Sequence, residues 1–295
     1  MAHLSFKEYL HEKRNIIEQA LPTYFEHKMI PIPLKESMCY SLQAGGKRLR
    51  PVLVLAMLDA FQKEPLIGLD VACAIEMVHT YSLIHDDLPA MDDDQLRRNL
   101  PTNHVKFGEA TAILAGDGLL TFSFQVIAES KNIAPEMKVQ LIQQFAKAAG
   151  PEGMVAGQIV DMEAEKRQVS LEELTYIHTH KTGDLLAFSI ESGALLAGAS
   201  EQQMKYIHQY ARSLGLAFQI KDDILDVEGD EVTLGKHVGS DDEQEKSTYP
   251  KLLTLQGAKQ TLYEYIEEAK QSIQKAKIHD QYLLNLADYV MTRNS

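Results

Sequence analysis

The chain has no tryptophan and only two cysteines in 295 residues. Cys39 and Cys73 are too few for a disulfide scaffold or a thiolate metal site. Both lie in helical, partly apolar stretches that suit buried free thiols. Positive charge is also scarce. Lys and Arg total 29 against 42 Asp and Glu, a formal net charge of −13. Nucleic acid is an unsuitable partner for so acidic a chain, because phosphate backbones need stripes of Lys and Arg. There is no Gly-x-x-x-x-Gly-Lys-Ser/Thr loop and nothing like an EF-hand. No apolar run approaches the roughly 18 residues of a membrane span. Lys7, Glu8, Glu12, Lys13 and Arg14 interrupt any signal-peptide core, so a cytoplasmic location is expected. Strand patterns are missing as well: no segment alternates for long, and no Asn-Gly turn separates two such runs.

What is present is helical periodicity. Apolar residues make up 45% of the chain, enough for a sizeable core. Phe6, Tyr9, Leu10, Ile16 and Ile17 fall near one helical face, and Leu53, Val54, Met57, Leu58 and Phe61 repeat the spacing. Gly45-Gly46 suits a helix end and Pro51 a helix start. Short Pro- and Gly-containing breaks separate the segments, and no repeat of fixed period occurs. The pattern predicts one all-α domain over residues 1–295 with ten or more helices. The polar, Gly-punctuated stretch 229–249 is the best candidate for a mobile loop, and it carries Lys236 and Lys246.

Two acidic clusters stand out, Asp86-Asp87-Leu88-Pro89-Ala90-Met91-Asp92 and Asp222-Asp223-Ile224-Leu225-Asp226. Carboxylates this dense repel one another unless cations lie between them. In the second cluster, Gln219, Asp222, Asp223 and Asp226 follow i, i+3, i+4, i+7 spacing and share one helix face. By itself that spacing also fits a solvated face or ion pairs with Lys221. In the first cluster, His79, Ser82 and Asp86 share a face. Asp92 lies about 240° around an unbroken helix from Asp86. Pro89 disfavours helix at Leu88, so a break just after Asp87 would let Asp92 swing back beside Asp86. Asp92-Asp93-Asp94 also fits an acidic first turn of a following helix, a reading that can hold for Asp93 and Asp94 while failing for Asp92. An all-carboxylate set with no His or Cys at ligand spacing favours Mg²⁺ or Mn²⁺ over zinc. Mg²⁺ takes one or two protein carboxylates and fills its remaining positions with water and substrate phosphate.

Basic groups cluster around these motifs: Gly45-Gly46-Lys47-Arg48-Leu49-Arg50-Pro51, Arg97-Arg98, Lys181-Thr182-Gly183 and Thr233-Leu234-Gly235-Lys236. Each alone is an ordinary solvated charge. Together they supply more cations than one diphosphate needs, which points to two anionic substrates, one held by metal and one by Arg and Lys.

These three segments, Gly-Gly-Lys-Arg-Leu-Arg-Pro, Asp-Asp-x-x-x-x-Asp followed by Arg97-Arg98, and Phe218-Gln219-Ile220-Lys221-Asp222-Asp223-Ile224-Leu225-Asp226, resemble the short-chain trans-isoprenyl diphosphate synthases. The resemblance runs from about Leu34 to Arg293. It implies a helical bundle around a deep central cavity, usually as a homodimer. It implies condensation of isopentenyl diphosphate with dimethylallyl and geranyl diphosphate, head to tail, to (E,E)-farnesyl diphosphate. Three Mg²⁺ ions are expected per active site, with Asp86, Asp92 and Asp222 matching the direct ligands and Asp87 and Asp226 matching supporting carboxylates. Lys47, Arg50, His79 and Arg98 match the isopentenyl diphosphate site. Arg97, Lys181, Thr182, Gln219 and Lys236 match contacts to the allylic substrate, and Lys181, Thr182 and Gln219 are the expected catalytic groups. One departure stands out: the family usually has Gly-Lys-Pro-Thr after the Arg pair, whereas this chain has Asn99-Leu100-Pro101-Thr102.

Tyr81 lies five residues before Asp86, about 7–8 Å deeper along a helix. An ordinary core aromatic would fit there too. By resemblance, Tyr81 with Ser82 marks the chain-length position, and an aromatic there matches the makers of farnesyl diphosphate. A geranylgeranyl diphosphate product is the alternative. A non-catalytic synthase subunit would be expected to have lost an acidic motif, and both are intact. Terpene cyclases share the first kind of cluster but need no Lys47, Arg50 and Arg98 for a second diphosphate.

Overall fold

A computed structural model describes residues 5–165, 167–228 and 247–294. Among them the chain is all-α apart from one short hairpin. It divides into two compact units, Met1–Leu55 with Glu64–Ile142 and Ala56–Lys63 with Gln143–Ser295. The stretch read as a mobile loop, with Lys236 and Lys246, lies largely outside the described residues.

The first unit opens with α1 (Phe6–Ala20), started by a capping box. The Glu8 carboxylate accepts the Ser5 N–H at 2.9 Å, and Ser5 Oγ accepts the Glu8 N–H at 3.3 Å. Next come α2 (Ile32–Gln43), α3 (Leu49–Ala60), whose residues from Ala56 on belong to the second unit, and α4 (Leu69–Asp86). Helix α3 begins at Leu49, two residues before the Pro51 expected to start it, and Pro51 falls in its first turn, where a missing N–H costs nothing. Every residue of α4 from Val71 to Val78 is buried, so this helix has no solvent face over two turns and forms the unit's centre.

Helices α5 (Asn103–Phe107) and α6 (Glu109–Glu129) follow, and α6 packs along α4 and α2. Helix α6 corrects one expectation: it is long and apolar enough to cross a membrane by length and composition. Core helices pass the same test. Its inner face buries Ala112, Ala115, Leu119, Phe122, Val126 and Ile127 against its neighbours. Its outer face leaves Ile113 and Leu114 exposed.

The second unit takes up the C-terminal half of α7 (Pro135–Ala149), then α8 (Met154–Ala164), α9 (Leu171–Ile177), one π-helical turn (His178–Gly183) and α10 (Asp184–Ala197). The 28-residue α11 (Glu201–Glu228) packs against α10, α12 (Tyr249–Lys275) and α13 (Gln281–Thr292). Helix α10 is buried along nearly its whole length and serves this unit as α4 serves the first.

Candidate active site

In the first unit, α4 carries His79, Tyr81, Ser82 and Asp86 and stops at Asp86, with Asp87 as its cap. The Leu88-Pro89 break expected from the sequence is present. The chain then turns back on itself: Met91 N–H donates to Leu88 C=O at 2.8 Å, and Asp92 N–H donates to Asp86 C=O at 2.9 Å. Asp92 therefore returns beside Asp86. Asp93 and Asp94 open no helix. They lead instead into β1 (Leu96–Arg97), which pairs antiparallel with β2 (Leu100–Pro101). Two-residue strands are too short to leave an alternation in sequence.

This hairpin accounts for the departure at Asn99. Arg98 and Asn99 both have positive φ, 55° and 62°. A two-residue hairpin loop with positive φ at both positions is the mirror-image turn that matches strand twist. Asn tolerates that region better than any other residue with a side chain except Asp, so it can stand where a glycine is usual. Arg98 donates to the Gly45 carbonyl. Its guanidinium lies directly against Gly46, where any side chain would collide with it. The two glycines of the basic loop thus give Arg98 a seat.

Asp87 is buried and bonded to Arg97, with Oδ1 at 2.7 Å from Nε and 2.5 Å from Nη2. Burial pushes its carboxyl pKa up, and the Arg97 guanidinium counteracts it. Arg97 also reaches Asp94 at 3.4 Å. His79 is held well below its ordinary value, first by burial and then by Arg50, Arg98, Arg97 and Arg48 around it. It stays a neutral imidazole, a hydrogen-bonding group that adds no charge. Ser82 Oγ donates to the His79 carbonyl at 2.9 Å. Tyr81 is buried and meets His85 edge-on at 5.6 Å. Burial and then the Asp86 charge push its phenol up to about 12.

The second unit carries the other residues. Gln219, Asp222, Asp223 and Asp226 lie on α11, but their surroundings differ. Asp222 is part exposed. Its Oδ1 takes Arg293 Nη2 at 2.6 Å, and its Oδ2 takes Gln219 Nε2 at 3.2 Å. The partner of Asp222 is thus Arg293, whose guanidinium also stacks on the Phe218 ring at 4.1 Å, and not Lys221. Asp223 is buried, and its Oδ2 accepts the Tyr249 N–H at 2.9 Å and lies 3.1 Å from His178 Nε2. Asp226 is buried. Lys181 and Thr182 sit in the π-helical turn, where one extra residue per turn rotates side chains out of register. Lys181 Nζ is 2.6 Å from Asp161 Oδ2. Gly157 of α8 lies against the Lys181 backbone, where a side chain would collide. A cavity of about 310 Å³ brings Asp161, His178, Lys181, Gln219, Asp222 and Asp223 together.

Sequence reasoning missed Asp161, His178 and Arg293. Their pairings span 20, 45 and 71 residues, and no local spacing signals them. Among the described residues, no three His, Cys, Asp or Glu side chains converge as a ready metal cage. The donors are all oxygen and come one or two at a time, which fits Mg²⁺ completed by water and phosphate and does not fit zinc.

Residues 32–283 match the polyprenyl synthetase family. The chain is 53% identical to a farnesyl diphosphate synthase of Geobacillus stearothermophilus over the full length of both. It is 44% identical to a geranylgeranyl diphosphate synthase of Cyanophora paradoxa, covering 97% of this chain and 96% of that one. The solved apo structure of an FPP/GFPP synthase from Zymomonas mobilis superposes with a TM-score of 0.85 at 33% identity, covering 97% and 99% of the two chains. The all-α fold is thus of the isoprenoid synthase type. The chain belongs to the polyprenyl synthetase family, and its resemblance to the short-chain trans-isoprenyl diphosphate synthases is borne out.

Proposed function

We propose that this chain is a prenyltransferase that condenses isopentenyl diphosphate with dimethylallyl and then geranyl diphosphate to give (E,E)-farnesyl diphosphate. The return of the Asp92 backbone onto Asp86 carries the reading, because it supports a pair of acidic residues at the end of the helix that also bears His79. Residues 1–295 act as one catalytic domain. Asp86, Asp92 and Asp222 are the proposed Mg²⁺ ligands, three ions per site, with Mn²⁺ as a substitute. Bound there, Mg²⁺ supplies Lewis-acid stabilisation of the charge that grows on the departing diphosphate.

The chain's own residues do the rest. Lys181 and Arg97 hold the allylic diphosphate, as does Lys236, which lies outside the described residues. The carbonyl oxygen of Gln219 and the hydroxyl of Thr182 present dipoles to the allylic cation left when the C–O bond breaks. Lys47, Arg50, Arg98 and neutral His79 hold isopentenyl diphosphate, whose double bond attacks that cation. Asp87 supports the site by fixing Arg97, and Asp226 supports it from within α11. The departed pyrophosphate removes the last proton, so no side-chain base is required. A homodimer is proposed, supported by the exposed apolar Ile113 and Leu114 on α6. The protein works in the cytoplasm, without a membrane span or nucleic acid.

Purified protein with Mg²⁺, isopentenyl diphosphate and each allylic starter should yield farnesyl diphosphate, and a chelator should abolish the product. Asp86→Ala or Asp222→Ala should lower kcat by at least about 10²-fold while the protein stays folded. Near-wild-type turnover in either variant would sink the metal assignment. The identity to the Cyanophora protein favours geranylgeranyl diphosphate as the second reading of the product, and product chain length separates the two.

A further inference from the structure

Arg48 is enclosed in the basic loop between Lys47 and Arg50 and is only 4% exposed. Its φ is 52°, a region that residues with side chains seldom occupy. Its guanidinium is committed to the protein. Nη1 lies 2.5 Å from Glu76 Oε1, Nη2 donates to the Leu42 carbonyl at 2.5 Å, and Nε is 3.8 Å from Glu18 Oε1. Glu76 is itself only 2% exposed.

Glu76 stands on α4 three residues before His79, so the two share a helix face. One buried carboxylate therefore ties the basic loop to the face that carries His79. A cavity of about 420 Å³ borders the loop at Gly45 and Arg48 and is lined also by Leu21, Phe25, Cys39 and Leu42. The bonds to Glu76 and to the Leu42 carbonyl anchor the Arg48 side chain. Lys47 immediately precedes Arg48, and Arg50 follows two residues later in the first turn of α3, so both take their direction from the chain that Arg48 anchors. The Gly45 carbonyl that seats Arg98 belongs to the same loop.

We propose that Arg48 and Glu76 are a positioning pair that aims Lys47, Arg50 and Arg98 at the diphosphate of isopentenyl diphosphate. The role deepens the prenyltransferase reading above and rests on it. Arg48 touches no substrate, because its donors face Glu76 and Leu42. Glu76 acts only through Arg48, as the buried counter-ion that holds the left-handed turn in place.

Steady-state kinetics with both substrates varied tests the pair. Glu76→Gln should raise KM for isopentenyl diphosphate about ten-fold or more and leave KM for geranyl diphosphate within about two-fold. Breaking one side of a buried ion pair also costs stability, so a second variant separates position from folding. Arg48→Met with Glu76→Leu replaces the whole pair by apolar groups of similar size, a change that buried pairs often tolerate. That double variant should melt near the wild-type temperature and still show the raised KM for isopentenyl diphosphate. Arg48→Lys should recover part of the affinity. A double variant that folds and has wild-type KM for isopentenyl diphosphate overturns the role, as does Glu76→Gln raising both KM values equally. A wild-type protein that condenses no isopentenyl diphosphate would overturn the prenyltransferase reading and this role with it, and that result is seen before any variant is made.

Discussion

The backbone N–H of Asp92 donates to the backbone carbonyl of Asp86 at 2.9 Å. The bond closes the loop that follows α4 and brings the backbones of two acidic residues, six apart in sequence, back together. It involves no side-chain atom, so the charge at Asp92 can be removed while the turn is kept. Asp92→Asn should lower kcat by about 10²-fold or more, with melting temperature close to wild type. Turnover and thermal unfolding measured on the same preparation check this. A variant of full activity would show that Asp92 is only a turn residue.

Asp222 and Asp223 are adjacent but should fail in different ways. Asp223 Oδ2 serves the Tyr249 N–H and His178, in a buried setting. Asp223→Ala leaves two buried donors unmet, which should cost about 2–5 kcal/mol and a clear drop in melting temperature. Asp222→Ala should lose turnover, and it should also lower the melting temperature to the extent that buried Arg293 depends on this carboxylate. Asp222→Asn, which keeps an oxygen facing Arg293, should lose turnover with less effect on melting. The pair also predicts a pH dependence. Burial opposes charge on His178, yet the Asp223 carboxylate outweighs it, and the net pKa lies above the ordinary 6.5. A histidine with a raised folded pKa contributes stability that is complete below 6.5 and is lost as pH rises through the folded value. The melting gap between wild type and Asp223→Asn should therefore narrow as pH rises through that window. A gap constant with pH would remove the ion pair from the account.

The parts of the site that could be read in the sequence are those set by local geometry. The α11 face needs only 3.6 residues per turn, and the break at Pro89 needs only the steric rule for the residue before proline. Long-range partners could not be read there. Arg293 on Asp222 and Asp161 on Lys181 are ordinary charges in sequence, and only packing makes them neighbours. The hairpin at Leu96–Pro101 was hidden because its strands are two residues long. The apolar length of α6 was misjudged because Gly, Ala, Ser and Thr dilute its strongly apolar residues without adding charge.

Asn99 gives a test of the hairpin. Its φ of 62° is one that Asn tolerates and a β-branched residue does not. Asn99→Gly should leave stability and activity near wild type. Asn99→Val should strain the turn by about 1–2 kcal/mol and loosen Arg98 from its seat on Gly45. The expected kinetic result is a higher KM for isopentenyl diphosphate with little change in kcat. Equal kinetics for the Gly and Val variants would show that the turn does not govern Arg98.

Tyr81 is the residue proposed to set product length, and its substitution separates the two products. It sits on α4 below Asp86, about 7–8 Å from it along the axis, and is only 7% exposed. Its ring packs edge-on against His85, which in turn presses on Gly116 of α6 so closely that a side chain at Gly116 would collide with it. The His85 ring that Tyr81 meets is thus itself held against a second helix. Tyr81→Ala removes the ring and leaves its space open. Removing a buried aromatic ring costs about 3–5 kcal/mol, so the variant should melt lower than wild type. If Tyr81 is the floor of the growth pocket, the folded fraction should make geranylgeranyl diphosphate or longer chains from the same substrates. Tyr81→Phe keeps the ring and loses only the hydroxyl, so its products should match those of wild type. Chromatography of dephosphorylated products distinguishes the outcomes, and an unchanged chain length in Tyr81→Ala would place the floor elsewhere.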